Sequence, residues 1–167
     1  MIQSQKTHRL VLASIFAAII FLFTAYLFHI PFATGYIHFG DTLVFLVGTL
    51  LPTPYAIGAA VIGTGLSDLL TAPIWVIPTV LIKALVVLMF SSKTPKIICA
   101  RNIVGLVFAY FINFTGYFVA TGFLYQDWLF PIARLYTDVI PPLICAVLFV
   151  IIGKIIDRTD LKSKFFV

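Results

Sequence analysis

The chain has no glutamate. Its six acidic residues are all aspartates: Asp41, Asp68, Asp127, Asp138, Asp157 and Asp160. Charged residues of both signs make up only 10% of the chain, and 62% is hydrophobic. Soluble domains run near 25% charged and about 45–50% apolar. So few charges cannot clothe a water-facing surface, which excludes a soluble globular domain. Cysteine is scarce too. Cys99 and Cys145 stand far apart among apolar residues and form no CxxC, zinc or haem spacing, so they read as packed thiols. There is no GxxxxGK[ST] phosphate loop, so the chain does not hydrolyse ATP by the usual route. There is no HExxH and no carboxylate cluster, so neither a metal nor a cofactor is expected. The apolar run after Arg9 is too long for a signal h-region, and no small-x-small cleavage site follows it. It reads as a retained first helix.

What remains is a chain for lipid. A spanning helix needs about 20 apolar residues, fewer where neighbours shield it. The pattern predicts an all-α integral membrane protein, one domain over 1–167, with six transmembrane helices. They are expected over Leu10 to Ile30, Gly40 to Leu51, Tyr55 to Leu70, Trp75 to Phe90, Asn102 to Leu124 and Thr137 to Ile156. Prolines punctuate them: Pro31, Pro52, Pro54 and Pro73 at ends, Pro141 and Pro142 in opening turns, and Pro78 either in the first turn of the fourth helix or marking a late start of it. With six spans, Lys6, Arg9, Lys93, Lys96, Arg101, Lys154, Arg158, Lys162 and Lys164 all fall on one side. Of the eleven basic residues only Lys83 and Arg134 are left over. The positive-inside rule makes that side the cytoplasm, with both termini there, in the cell membrane. The net charge of +5 then reflects topology and attraction to anionic lipid, and implies no nucleic acid.

Polar residues within the apolar segments are the functional candidates. "GYIHFGD", Gly35 to Asp41, fills the loop between the first two helices. Tyr36, His38 and Asp41 there make either a pocket wall or an interfacial aromatic belt with a helix-capping aspartate. Trp75, Thr79 and Lys83 share one face of the fourth helix at i, i+4 and i+8. Lys83 lies roughly 12 Å below the outer end of that helix at 1.5 Å per residue. An intramembrane charge is a functional suspect by default. Asp68, near the outer end of the third helix, is its expected partner, in a structural pair or in a ligand site. Tyr110, Asn113, Tyr117 and Thr121 form a polar stripe on the fifth helix. Asp138 and Tyr136, at the start of the sixth, close the same outer cavity. Trp128 and Tyr125 suit a belt. Ala13 and Ala17 form an AxxxA pattern on the first helix, and Ala59 and Gly63 repeat it on the third; such spacing lets helices approach closely. "GLSDL" (Gly65 to Leu69) superficially resembles a membrane serine nucleophile. No base or oxyanion hole accompanies it, so the chain is not read as an enzyme.

Several of these stretches together resemble the substrate-specificity subunits, or S-components, of energy-coupling factor (ECF) vitamin transporters. They are Ala13-xxx-Ala17, the run from Gly35 to Leu70, and "PTVLIKALV" from Pro78 to Val86. The resemblance is to a branch of small members assigned to riboflavin, pyridoxine-type and hydroxymethylpyrimidine substrates. It implies a six-helix S-component bundle that captures a water-soluble vitamin from outside, under a lid formed by the loop after the first helix. It implies a membrane scaffold subunit and two cytoplasmic ATPases as partners, with Ala13 and Ala17 contacting the scaffold. The expected cargo is pyridoxine (vitamin B6) first and hydroxymethylpyrimidine second. The competing class is a self-sufficient secondary transporter coupled to an ion, with Asp68 or Lys83 as its titratable group.

Overall fold

The computed structural model describes residues 2–27, 30–32, 35–37 and 39–165. Six principal helices carry the chain: α1 (Ile2–Ala25), α2 (Gly40–Leu50), α3 (Thr53–Thr71), α4 (Val76–Leu88), α5 (Ala100–Tyr125) and α8 (Ile140–Arg158). Short helices α6 (Leu129–Ala133), α7 (Leu135–Asp138) and α9 (Leu161–Phe165) flank α8, and a 3-10 turn at Pro73–Trp75 leads into α4. α1, α5 and α8 are long and apolar enough to cross a membrane, while α2 and the segment Pro73–Leu88 are shorter apolar helices.

Three boundaries differ from the sequence expectation by more than two residues, the first of them the start of α1, at Ile2 rather than Leu10. α1 stops at Ala25, where the amides of Tyr26 and Leu27 both bond back to Leu22. Ile30, expected in its last turn, lies instead in a small antiparallel hairpin, β1 (Ile30–Phe32) with β2 (Gly35–Ile37), and Pro31 pairs with Tyr36. Proline disfavours the helical conformation in the residue before it, so the apolar run cannot stay helical up to Pro31. The last principal helix starts at Ile140 rather than Thr137, with Pro141 and Pro142 in its first turn, where proline's missing amide has no helical partner to lose.

α2 is the axis of the bundle. Of its 11 residues, all are buried except Leu43. A helix apolar all round must be covered all round, and α1, α3, α4 and α8 cover this one. α1 also packs on α3, α3 on α4, and α4 on α5. Phe45 of α2 meets Phe90 and Phe149 with ring centroids 5.5 and 6.0 Å away, and Phe90 and Phe149 are 5.6 Å apart. Side chains facing away from this core are apolar and exposed, such as Ile77 at 74% and Phe123 at 71%, as lipid contact requires. At 11 residues α2 is only roughly 16 Å long, about half of the ~30 Å hydrocarbon core. Its first turn therefore lies deep in the bundle, which sets the depth of Asp41.

At the end of the bundle that carries the N-terminus, polar bonds tie the α4–α5 loop in place. The Asp157 carboxylate accepts the amides of Ile97 and Ile98 at 2.7 and 2.8 Å. Asn102 accepts from the Ser91 amide at 3.0 Å and donates to the Ile97 and Ser91 carbonyls at 3.0 and 3.2 Å. Lys162 donates to the Thr94 carbonyl at 2.6 Å. Burial pushes the Lys162 pKa down from the ordinary lysine value, and Asp157 opposes that shift. Asp157→Ala strands two amides at once. It is expected to lower unfolding stability in detergent by about 1–3 kcal/mol, read as an earlier melting midpoint. An unchanged midpoint would show that water replaces the carboxylate there.

Candidate functional site

The i, i+4, i+8 face of α4 meets the polar stripe of α5 toward the hairpin end of the bundle. Lys83 is 2% exposed. Its Nζ lies 2.6 Å from Asp41 Oδ1 and donates to Asn113 Oδ1 at 2.8 Å. The same ammonium sits over the Tyr117 ring, 5.0 Å from its centroid, in cation–π geometry. The Tyr117 hydroxyl is 3.1 Å from that of Thr79, one turn above Lys83 on α4. Trp75, a further turn along, faces Tyr117 with centroids 5.9 Å apart, and Tyr125 at 6.3 Å. Four elements, α2, α4, α5 and the 3-10 turn, thus converge on one column: charge at its base, a hydroxyl pair above, aromatic rings at the top.

Lys83 pairs with Asp41, not with the expected Asp68. The reason is depth. The short α2 begins low in the bundle and brings Asp41 level with Lys83, while Asp68 sits in the last turn of α3. Asp68 is half-buried, interacts with Thr79 and feels the Lys83 and Asp41 charges from a distance. Asp41 also lies in the first turn of α2, where the helix dipole favours a carboxylate.

Not every candidate joins the column. Tyr110 is seven residues before Tyr117, roughly 10 Å further from the hairpin end. It stacks on Phe114 at 6.4 Å and meets Phe111 edge-on at 5.6 Å. Thr121 donates to the Tyr117 carbonyl on its own helix. Asp138 forms an ion pair with Arg134 at 3.1 Å, partly exposed on the α6–α7 segment. Tyr36 lies in β2, and nothing of its side chain is described; the Tyr136 side chain and His38 lie outside the described residues. Thr42 is not among the sequence candidates, yet it borders the site. Its hydroxyl donates to the Cys145 carbonyl at 3.2 Å and ties α2 to α8 beside Asp41. A threonine next to the aspartate of a largely apolar helix is the signal that could have found it.

Ala13 and Ala17 are each 8% exposed. They line an apolar groove of about 450 Å³ between α1 and α3, with Ala59, Gly58, Ile62 and Leu66 opposite. A Cβ on Gly63 would come within 2.7 Å of the Ala17 carbonyl and 2.8 Å of Ile20. Only glycine lets the two helices approach this closely.

Residues 4–158 match the protein family described as "ECF-type riboflavin transporter, S component". Among solved structures, one reported as "Structure and mechanism of the S component of a bacterial ECF transporter" superposes with a TM-score of 0.67. It is 19% identical over 92% of this chain and 98% of that one, which establishes a shared fold. Comparison with curated proteins gives no match. The all-helical bundle is thus an S-component membrane fold, and the chain is a multi-pass membrane protein.

Proposed function

The chain belongs to the ECF-type riboflavin transporter S-component family and is a substrate-binding subunit of an ECF transporter; from that premise we propose that it captures a neutral heteroaromatic vitamin at the column above Lys83. The observation that carries this reading is the convergence of Lys83, Asn113, Thr79, Tyr117 and Trp75. A few polar groups fixed among aromatic faces suit a small ring-bearing solute. Pyridoxine is the first choice and hydroxymethylpyrimidine the second, because both pair a flat ring with hydroxyl groups. Riboflavin is the further reading, favoured by the name of the matched family. The hairpin end faces outward. A scaffold subunit seats on the α1–α3 groove at Ala13 and Ala17, and two cytoplasmic ATPases drive release. Mass spectrometry of small molecules that co-purify with the chain, followed by calorimetry with the three vitamins, tests the assignment. Failure of all three to bind overturns it. Uptake that persists without ATPase partners would instead favour an ion-coupled transporter.

Orientation is tested separately. In a Cys99→Ala, Cys145→Ala background, Lys96→Cys is expected to react with an impermeant thiol reagent only from the cytoplasmic side. Asp127→Cys is expected to react only from outside. Labelling of both from one side refutes the six-span topology.

A further inference from the structure

We propose that the Asn113 side-chain amide is the hydrogen-bond donor that selects the ligand, and that Lys83 is a positioning residue which holds that amide and does not touch the ligand. This rests on the reading of the site given above and deepens it. A lysine ammonium has three donors and no acceptor. Lys83 directs one to Asp41 at 2.6 Å and one to Asn113 Oδ1 at 2.8 Å, and Tyr117 covers it at 5.0 Å. Little of it is left for a solute.

The same geometry fixes the Asn113 amide. Lysine cannot accept, so the atom facing it must be oxygen; a flipped amide would set donor against donor. Nδ2 is therefore turned away from Lys83. Among the described residues it has no hydrogen-bond partner, although Asn113 is only 1% exposed. A buried amide donor without a partner is unusual in a folded protein. A ligand acceptor delivered to it would remove that deficit. Lys83 and Asp41 cancel each other's charge, so the pair offers an anion no net attraction. The matching group is a neutral acceptor: a pyridine- or pyrimidine-type ring nitrogen, or a ring carbonyl. Sites built to hydrogen-bond a substrate group discriminate strongly against analogues that lack it.

The test is a ratio of affinities. Calorimetry on the purified full chain compares pyridoxine, hydroxymethylpyrimidine and riboflavin, each against an analogue with C–H in place of a ring acceptor nitrogen. For the vitamin that binds, wild-type protein is expected to favour the parent by at least about tenfold. Asn113→Leu and Asn113→Ala are expected to bring that ratio to within about twofold of one. Each ratio is taken within one variant, so a general loss of stability does not produce this result. A ratio as large in both variants as in wild type overturns the inference, because another group then reads the acceptor. Wild-type indifference to the analogue also overturns it, because water then satisfies the amide. Absence of binding by all three vitamins overturns the functional reading and this inference with it; binding with an unchanged ratio overturns the inference alone.

Discussion

Lys83→Ala is expected to destabilise the empty protein by about 3–5 kcal/mol, because removing one partner of a buried ion pair leaves the other charge stranded. The stranded group is Asp41, whose side chain is 11% exposed. Vitamin affinity is expected to fall by at least about tenfold, which corresponds to roughly 1.4 kcal/mol. The weaker binding has its own cause: without the ammonium to hold its oxygen, the Asn113 amide is free to turn. Melting and calorimetry must be measured together, since the two effects have different origins. Asp41→Asn combined with Lys83→Met removes both charges and keeps similar volumes. Replacing a whole buried pair is often neutral for stability, so the double variant should regain most of the lost melting temperature. A double-mutant cycle between the two positions reads the coupling directly. If Lys83→Ala melts early but binds the vitamin normally, the pair is a structural strut and the column lies outside the binding site.

The sequence exposed the faces of this site better than its depth. The i, i+4, i+8 spacing of Trp75, Thr79 and Lys83 needs only helical periodicity, and so does the spacing of Asn113 and Tyr117. All five residues meet where their faces predict. The Lys83 partner is another matter. Asp41 is 42 residues away in the chain, and its depth depends on α2 being 11 residues long and buried at every position but Leu43. Nothing local in "GYIHFGD" says that its aspartate enters the bundle rather than capping a helix at the surface. Tyr110 stands apart from the column for the same reason, since it shares the azimuth of Tyr117 but not its height. The hairpin was hidden by composition. Leu27 to Phe32 is as apolar as the helix before it, and Ala33–Thr34 is not the Asn-Gly or Asp-Gly pair that marks a two-residue turn.

Ala13→Trp with Ala17→Trp is expected to abolish vitamin uptake in cells while leaving binding by the isolated subunit within about threefold of wild type. The structure makes this a demanding test. Both alanines are almost covered by α3, yet both open onto the groove between α1 and α3. Two indoles would occupy much of its roughly 450 Å³. A partner helix that seats there by close backbone approach would then be held off, because small side chains are what allow such contact in lipid. The column at Lys83 is built from α2, the 3-10 turn, α4 and α5 and does not include α1, so filling the groove need not disturb it. Gly63→Ala is the control for the seam itself. Its new Cβ meets the Ala17 carbonyl within 2.7 Å, so α1 must shift on α3, and early melting is expected even without a partner. If the double tryptophan variant loses binding and uptake together, and melts as early as Gly63→Ala, then Ala13 and Ala17 serve the α1–α3 contact alone. Loss of uptake with binding and melting preserved places the scaffold in the groove.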